Sequence, residues 1–139
     1  MLRRTFAAVL LCALAAGLAG CAGPTKLAEK SQQKLASGDM WRAWQLATRA
    51  LDREPLNPNA RQAAAAAGGA IADDWQRRIG ALAAVDSVRA AEQVLEFVAF
   101  RGNAARYATL AVTPAWSTSE RTLRHAAARR SYAAGREAM

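Results

Sequence analysis

An all-α fold is what the amino-acid sequence predicts, and three observations carry it. Apolar residues recur at three- and four-residue spacing over most of the chain, as amphipathic helices require. About a quarter of the 139 residues are alanine, the strongest helix former. No stretch alternates apolar and polar residues like a half-buried strand, and glycine and proline gather at a few points where helices would begin or end. The expected arrangement is a helical hairpin followed by further helices, as a short α-solenoid or a bundle.

Residues 1–20 read as a leader. Arg3 and Arg4 precede an apolar run from Phe6 to Leu18, and small residues then lead to Cys21. A charged start, an apolar segment and a small-residue exit make a secretory signal peptide. The run is too short to span a bilayer, which takes about 20 apolar residues. Leu18-Ala19-Gly20-Cys21 closely resembles the lipobox of bacterial lipoproteins. That resemblance implies cleavage ahead of Cys21 and acylation of its sulfur and new α-amino group, which would make the membrane a partner. Ala22, where aspartate retains enterobacterial-type lipoproteins in the inner membrane, implies the periplasmic face of the outer membrane. Residues 21–24 are then the whole tether, and at about 3.5 Å per residue it reaches only ~14 Å. The folded part is expected beside the bilayer surface.

Cys12 leaves with the leader and Cys21 carries lipid, so no thiol remains for a disulfide or a metal, and no cofactor is expected. The formal net charge is +8 and is mostly arginine, with lysine only at Lys26, Lys30 and Lys34. A basic balance fits nucleic acid, anionic lipid or simple solubility. Export from the cytoplasm argues against nucleic acid.

The hairpin comes first. Thr25 can cap a polar helix over 26–37 with Leu27 and Leu35 on one side, and Gly38 permits the left-handed turn that ends it. Asp39 can cap a second helix, Met40 to Glu54, whose apolar stripe comprises Trp41, Trp44, Leu46, Ala47, Ala50 and Leu51. Pro55 ends it, because the residue before a proline avoids the α region. Asn57 and Pro58 then suit the cap and first position of a third helix. Gly38, Ala43, Ala47, Ala50, Pro55 and Asn57 resemble, in identity and spacing, the second half of a tetratricopeptide repeat. The resemblance covers residues 25–58 and implies close helix approach at Ala43 and Ala50. Its first half departs from the pattern: Leu27 stands where tryptophan is usual, Lys30 replaces a leucine and Lys34 an aromatic. An ordinary α-hairpin punctuated by glycine and proline is the alternative.

Residues 59–139 read as a helical continuation or capping bundle. Asn59 to about Val85 is one long helix, or two broken near Gly68-Gly69, where glycine marks a kink or a close crossing. Its buried stripe is Ile71, Trp75, Ile79, Leu82 and Val85. Asp86 caps a helix to Arg101 with Val88, Ala91, Leu95 and Val98 inward and Val94 and Phe97 widening the face. Gly102 ends it, and Asn103 caps a short helix from Ala104 to about Val112, stopped by Pro114. Ser117-Thr118-Ser119-Glu120 has capping-box spacing ahead of a last helix from Thr118 to about Ala134, ending at Gly135. A second strict repeat fails, since Arg77 falls where the pattern wants alanine.

Catalytic chemistry is hard to assemble from these residues. His125 is the only histidine, and Ser117, Ser119 and Ser131 offer no preferred nucleophile for it. Glu92 and Glu96 share a helix face without the Glu-x-x-His motif of carboxylate metal centres. Asp73 and Asp74 point apart and read as solubilising. The chain is therefore expected not to be an enzyme, with no metal and no small-molecule substrate. Two surfaces remain: the hairpin groove near Trp41 and Trp44, and the arginines Arg121, Arg124, Arg129 and Arg130, which a helix could present to anions. The leading expectation is an outer-membrane lipoprotein that binds an envelope protein as an adaptor or assembly factor. In plan it resembles the helical-repeat component of the outer-membrane barrel-assembly machinery and the pilotins that escort secretins. One alternative is binding of anionic lipid, lipopolysaccharide or cell-wall polymer through the C-terminal arginines. Another is a purely structural envelope role.

Overall fold

The structure is a computed structural model that describes residues 23–137. Residues 1–20, Cys21 and Ala22 lie outside the described residues. Among the described residues five helices follow one another: α1 (Pro24–Ala36), α2 (Met40–Arg53), α3 (Pro58–Ala83), α4 (Ser87–Ala104) and α5 (Pro114–Glu137). The fold is all-α. Each helix packs on the next where the connection is short, α1 also touches α3, and α5 packs chiefly on α4.

The hairpin forms because its turn and its faces agree. Proline suits the first helical position, so α1 opens at Pro24 with Gly23 as its cap, and Thr25 lies inside the helix rather than capping it. Leu27, Ala28 and Ser31 are the buried face, while Leu35 is only half-buried. Gly38 adopts φ +83°, the left-handed value that ends a helix without Cβ strain. Asp39 then caps α2 by accepting from the Arg42 N–H at 3.1 Å. Ala43, Ala47 and Ala50 are fully buried. Opposite them, the buried Ser31 hydroxyl donates to the Ala43 carbonyl at 2.7 Å, tying the two backbones together. Trp41 falls outside this small-residue face and remains 43% exposed, leaning edge-on against Phe100.

Asn57 starts α3. It is buried, its side-chain oxygen accepts from the Ala60 N–H at 3.0 Å, and its amide donates to Glu54 at 2.9 Å. α3 is one unbroken helix and the spine of the molecule. Its first half, with Ala60, Ala63 and Ala64, completes a core with Leu27, Ala28, Ala47, Ala50 and Leu51. Its second half, with Ala72 and Ile79, joins Ala90, Val94, Phe97, Trp116 and Leu123 in another. Between the two halves lies Gly68. A Cβ there would stand 2.6 Å from Leu110 Cδ2 and 2.9 Å from Trp44 Cζ3, whereas one at Gly69 would meet nothing within 4 Å. The glycine pair is thus a close approach at its first member and no kink at all.

The second half departs from expectation at several points. Val85 stands in the turn beyond α3 and is 88% exposed. α4 is rotated: Ala90, Ala91, Val94 and Phe97 are buried, while Val88 and Leu95 are exposed. Two overlapping stripes competed, and the chosen one inserts Phe97 between Trp75, stacked at 5.9 Å, and Trp116, edge-on at 5.7 Å. Arg101 sits on that same stripe, which disguised it as polar. Helix α4 runs through Gly102 and Asn103 to Ala104, and residues 108–113 are not helical. Thr109, Val112 and Thr113 are β-branched, and Thr113 precedes a proline, so helix propensity there is weak. Tyr107 and Leu110 instead pack inward, with Tyr107 edge-on to Trp44 at 5.9 Å. Pro114 opens α5 rather than stopping a helix, because the Thr113 hydroxyl accepts from the Trp116 N–H at 3.1 Å. Ser117 to Glu120 are therefore helix interior, and α5 passes through Gly135 to Glu137.

Two outcomes follow for stability. Ala43→Leu and Ala50→Leu should each cost roughly 1–3 kcal/mol by overpacking a face that has no spare volume; chemical denaturation reads the cost, and unchanged midpoints would mean the helices can part. Gly69→Ala should stabilise by about 0.5–1 kcal/mol, the ordinary gain of alanine over glycine in a helix. Gly68→Ala should lose that gain to the Trp44 ring and be net destabilising. A thermal-melt comparison of the adjacent pair measures the difference, and equal shifts would contradict the close approach.

Candidate functional site

Three clefts involve residues singled out from the sequence. The first lies where the N-terminus of α2, the middle of α3 and the first turns of α5 meet, a hollow of about 780 Å³. Ala70 and Ala115 line it together with Met40, Trp116, Gln76, Ser119 and the charged Asp73 and Arg77. It exists because α5 begins at Pro114, which brings Ala115 and Ser119 beside α3. A reading that begins the last helix at Thr118 has no such cleft, and nothing local in the sequence marks it.

The second cleft separates α4 from α5 and measures about 740 Å³. Arg121, Arg124 and His125 line it together with Arg101 and Glu120. Glu120 is only 6% exposed and holds the two helices together. Arg101 meets it with two hydrogen bonds, at 2.9 and 3.2 Å, and Trp116 Nε1 donates to it at 2.9 Å. Arg124 approaches the same carboxylate at 3.7 Å. A buried carboxylate needs such partners, since an isolated one would cost far more than the fold can supply. Part of the positive charge here is thus spent inside the protein.

The third, about 670 Å³, lies between the end of α2 and the connector after α4. Asp52 organises it: Tyr107 donates to Asp52 at 2.8 Å and Arg106 pairs with it at 3.2 Å. Partial burial, and then the Asp52 carboxylate, hold the phenol pKa above its usual 10.0, so the phenol stays a donor throughout the neutral range.

The structure distributes the residues singled out from sequence as follows. Gly38, Ala43, Ala47, Ala50 and Asn57 are parts of the turn, the helix contact and the cap, and Pro55 is exposed in the connector. Of the four arginines, Arg121 and Arg124 share the α4–α5 cleft. Arg130 and Glu92 line a smaller pocket farther along α4 and α5, and Arg129 lines none of these clefts. They do not converge on one point. Trp44 is half-buried against Phe100 and Tyr107, so of the two hairpin tryptophans Trp41 is the exposed one. Asp74 is not merely solubilising, because it pairs with Arg78 at 2.8 Å and Arg77 at 3.5 Å along α3. Among the described residues no three His, Cys, Asp or Glu side chains group as a metal site would, and no helix is long and apolar enough to cross a membrane.

Comparison with known proteins adds no relative. No protein-family model, curated protein or solved structure matches the chain.

Trp116 and Trp75 make a paired test of the cleft wall. Trp116→Phe removes a bond to a buried carboxylate and should cost roughly 1.5–3 kcal/mol. Trp75 Nε1 is buried and finds no partner among the described residues. Trp75→Phe removes that orphan along with some ring area, and the two effects should cancel to within about 1 kcal/mol. Urea denaturation of both variants gives the comparison; a larger loss at Trp75 would show that its indole nitrogen is bonded.

Proposed function

We propose that this chain is a lipid-anchored envelope lipoprotein whose helical domain is a protein-binding adaptor. The observation that carries the binding part is the α2–α3–α5 cleft. Its lining mixes small (Ala70, Ala115), apolar (Met40, Trp116), polar (Gln76, Ser119) and charged (Asp73, Arg77) side chains, which suits an extended or helical segment of another protein. Met40 and the exposed Trp41 beside it in sequence are residue types enriched at binding surfaces. The domain is read as non-catalytic: Ser117 and Glu120 line the α4–α5 cleft together with His125, but the Ser117 hydroxyl donates to the Thr113 carbonyl at 3.3 Å and the Glu120 carboxylate is held by Arg101 and Trp116, so neither serves the imidazole. The anchor part rests on Leu18-Ala19-Gly20-Cys21 and the placement at the outer membrane on Ala22, and the hairpin's likeness to a tetratricopeptide repeat fits an adaptor.

Anion binding by the C-terminal arginines has weaker support, since Glu120 offsets Arg101 and Arg124 and Arg129 and Arg130 lie apart from that cleft.

Two measurements test the proposal. Mass spectrometry of the mature N-terminus should show acylated Cys21, and an unmodified N-terminus downstream would remove the anchor. A photo-crosslinking residue at Ser119 should give one discrete adduct with an envelope protein, lost in Met40→Asp, whereas the same probe at Tyr132 should give none. Adducts of equal yield at both positions would argue against the cleft.

A further inference from the structure

Basic side chains also gather between the first two helices. A groove of about 460 Å³ runs between α1 and α2. Lys30 and Lys34 line it from α1, and Arg42 and Arg49 from α2, with Leu27 and Leu46 supplying its apolar parts. No acidic side chain lines it. Asp39 caps α2, Asp52 takes Arg106 and Tyr107, and Arg42 donates to the uncharged Gln45 at 3.1 Å, while Arg53 is itself partnered. Lysine occurs in this protein only at 26, 30 and 34, one helical turn apart along α1.

We propose that this groove is a seat for the phosphate headgroups of an anionic membrane, holding the hairpin against the bilayer. The proposal rests on the anchored reading for its geometry. Cys21 precedes Pro24 by three residues, a span of at most about 10 Å, and Lys30 and Lys34 lie about 9 and 15 Å farther along the helix axis. An acyl anchor at Cys21 therefore keeps the groove within reach of the headgroup layer. Clustered basic side chains beside a lipid anchor orient the domain against an anionic surface. The long lysine stems can lie along Leu27 and Leu46 while their ammonium groups reach the phosphates. Seating by the hairpin leaves the α2–α3–α5 cleft for a partner, so membrane and client would occupy different surfaces.

Because every lysine is on α1, amine-reactive labelling of the intact full-length chain, read residue by residue by mass spectrometry, follows Lys30 and Lys34 directly. On phosphatidylglycerol vesicles, labelling of Lys30 and Lys34 should slow by at least about fivefold relative to phosphatidylcholine vesicles, the factor expected for one basic residue at an anionic surface. The protection should vanish in 1 M salt, where the screening length is about 3 Å, and in the double variant Arg42→Gln/Arg49→Gln. Changing Arg121 and Arg124 to Gln should leave it intact. Equal labelling on both vesicle types, or protection that survives Arg42→Gln/Arg49→Gln, would overturn the proposal. Equal protection by dissolved inorganic phosphate alone would overturn it in favour of a soluble anion. The N-terminal mass of the same sample separates the two ideas: unacylated chain that still shows lipid-selective protection removes the anchor and keeps the groove, whereas acylated chain without selectivity does the reverse.

Discussion

Close approach of helix backbones through small side chains is the constraint on which this fold depends. Ala43, Ala47 and Ala50 on α2 face Ser31 and Ala28 on α1, and Ala60, Ala63 and Ala64 bring α3 onto the same layer. Alanine contributes little apolar area, so such a core gains by dispersion between tightly packed backbones and loses little side-chain entropy. The arrangement also explains why the turn at Gly38 and the caps at Asp39 and Asn57 matter. With little area to bury, correctly ended helices contribute a larger share of the net stability.

The second half solves the same problem with larger pieces. Phe97 stands between Trp75 and Trp116, and Arg101 covers the Phe97 ring at 5.2 Å while reaching Glu120. This cluster joins α5 to the rest, and it is polar at its centre. The indole nitrogen of Trp116 and the Arg101 guanidinium satisfy one buried carboxylate together, so loss of one partner strands the others. α3 passes through both halves, and at Gly68 the Trp44 and Leu110 side chains rest on its backbone, which couples the alanine layer to the aromatic one.

Charge is sorted by position in this architecture. In the α4–α5 cleft the guanidinium groups partly serve Glu120, and near Asp74 they serve the helix surface. In the α1–α2 groove the cations line a wall with no acid on it. Counting charges along the sequence gives both regions similar weight. Their difference arises only from which acids the fold places next to which bases.

By itself the sequence determined the helical class, the turn at Gly38, the caps at Asp39, Asn57 and Asp86, and the burial of Ala43, Ala47 and Ala50. These are local matters: backbone conformation at glycine, hydrogen bonding of short polar side chains to nearby N–H groups, and periodicity over one helix. Tertiary structure alone decided which of two stripes α4 buries, whether residues 104–112 form a helix, where α5 begins and which side chains meet at each cleft. In each case the local alternatives differ by little, and a distant group tips the balance: Trp75 and Trp116 around Phe97, Trp44 and Gly68 against Tyr107 and Leu110, and Arg101 on Glu120. Contacts between residues far apart in sequence carry that information, and no window of the chain contains both partners.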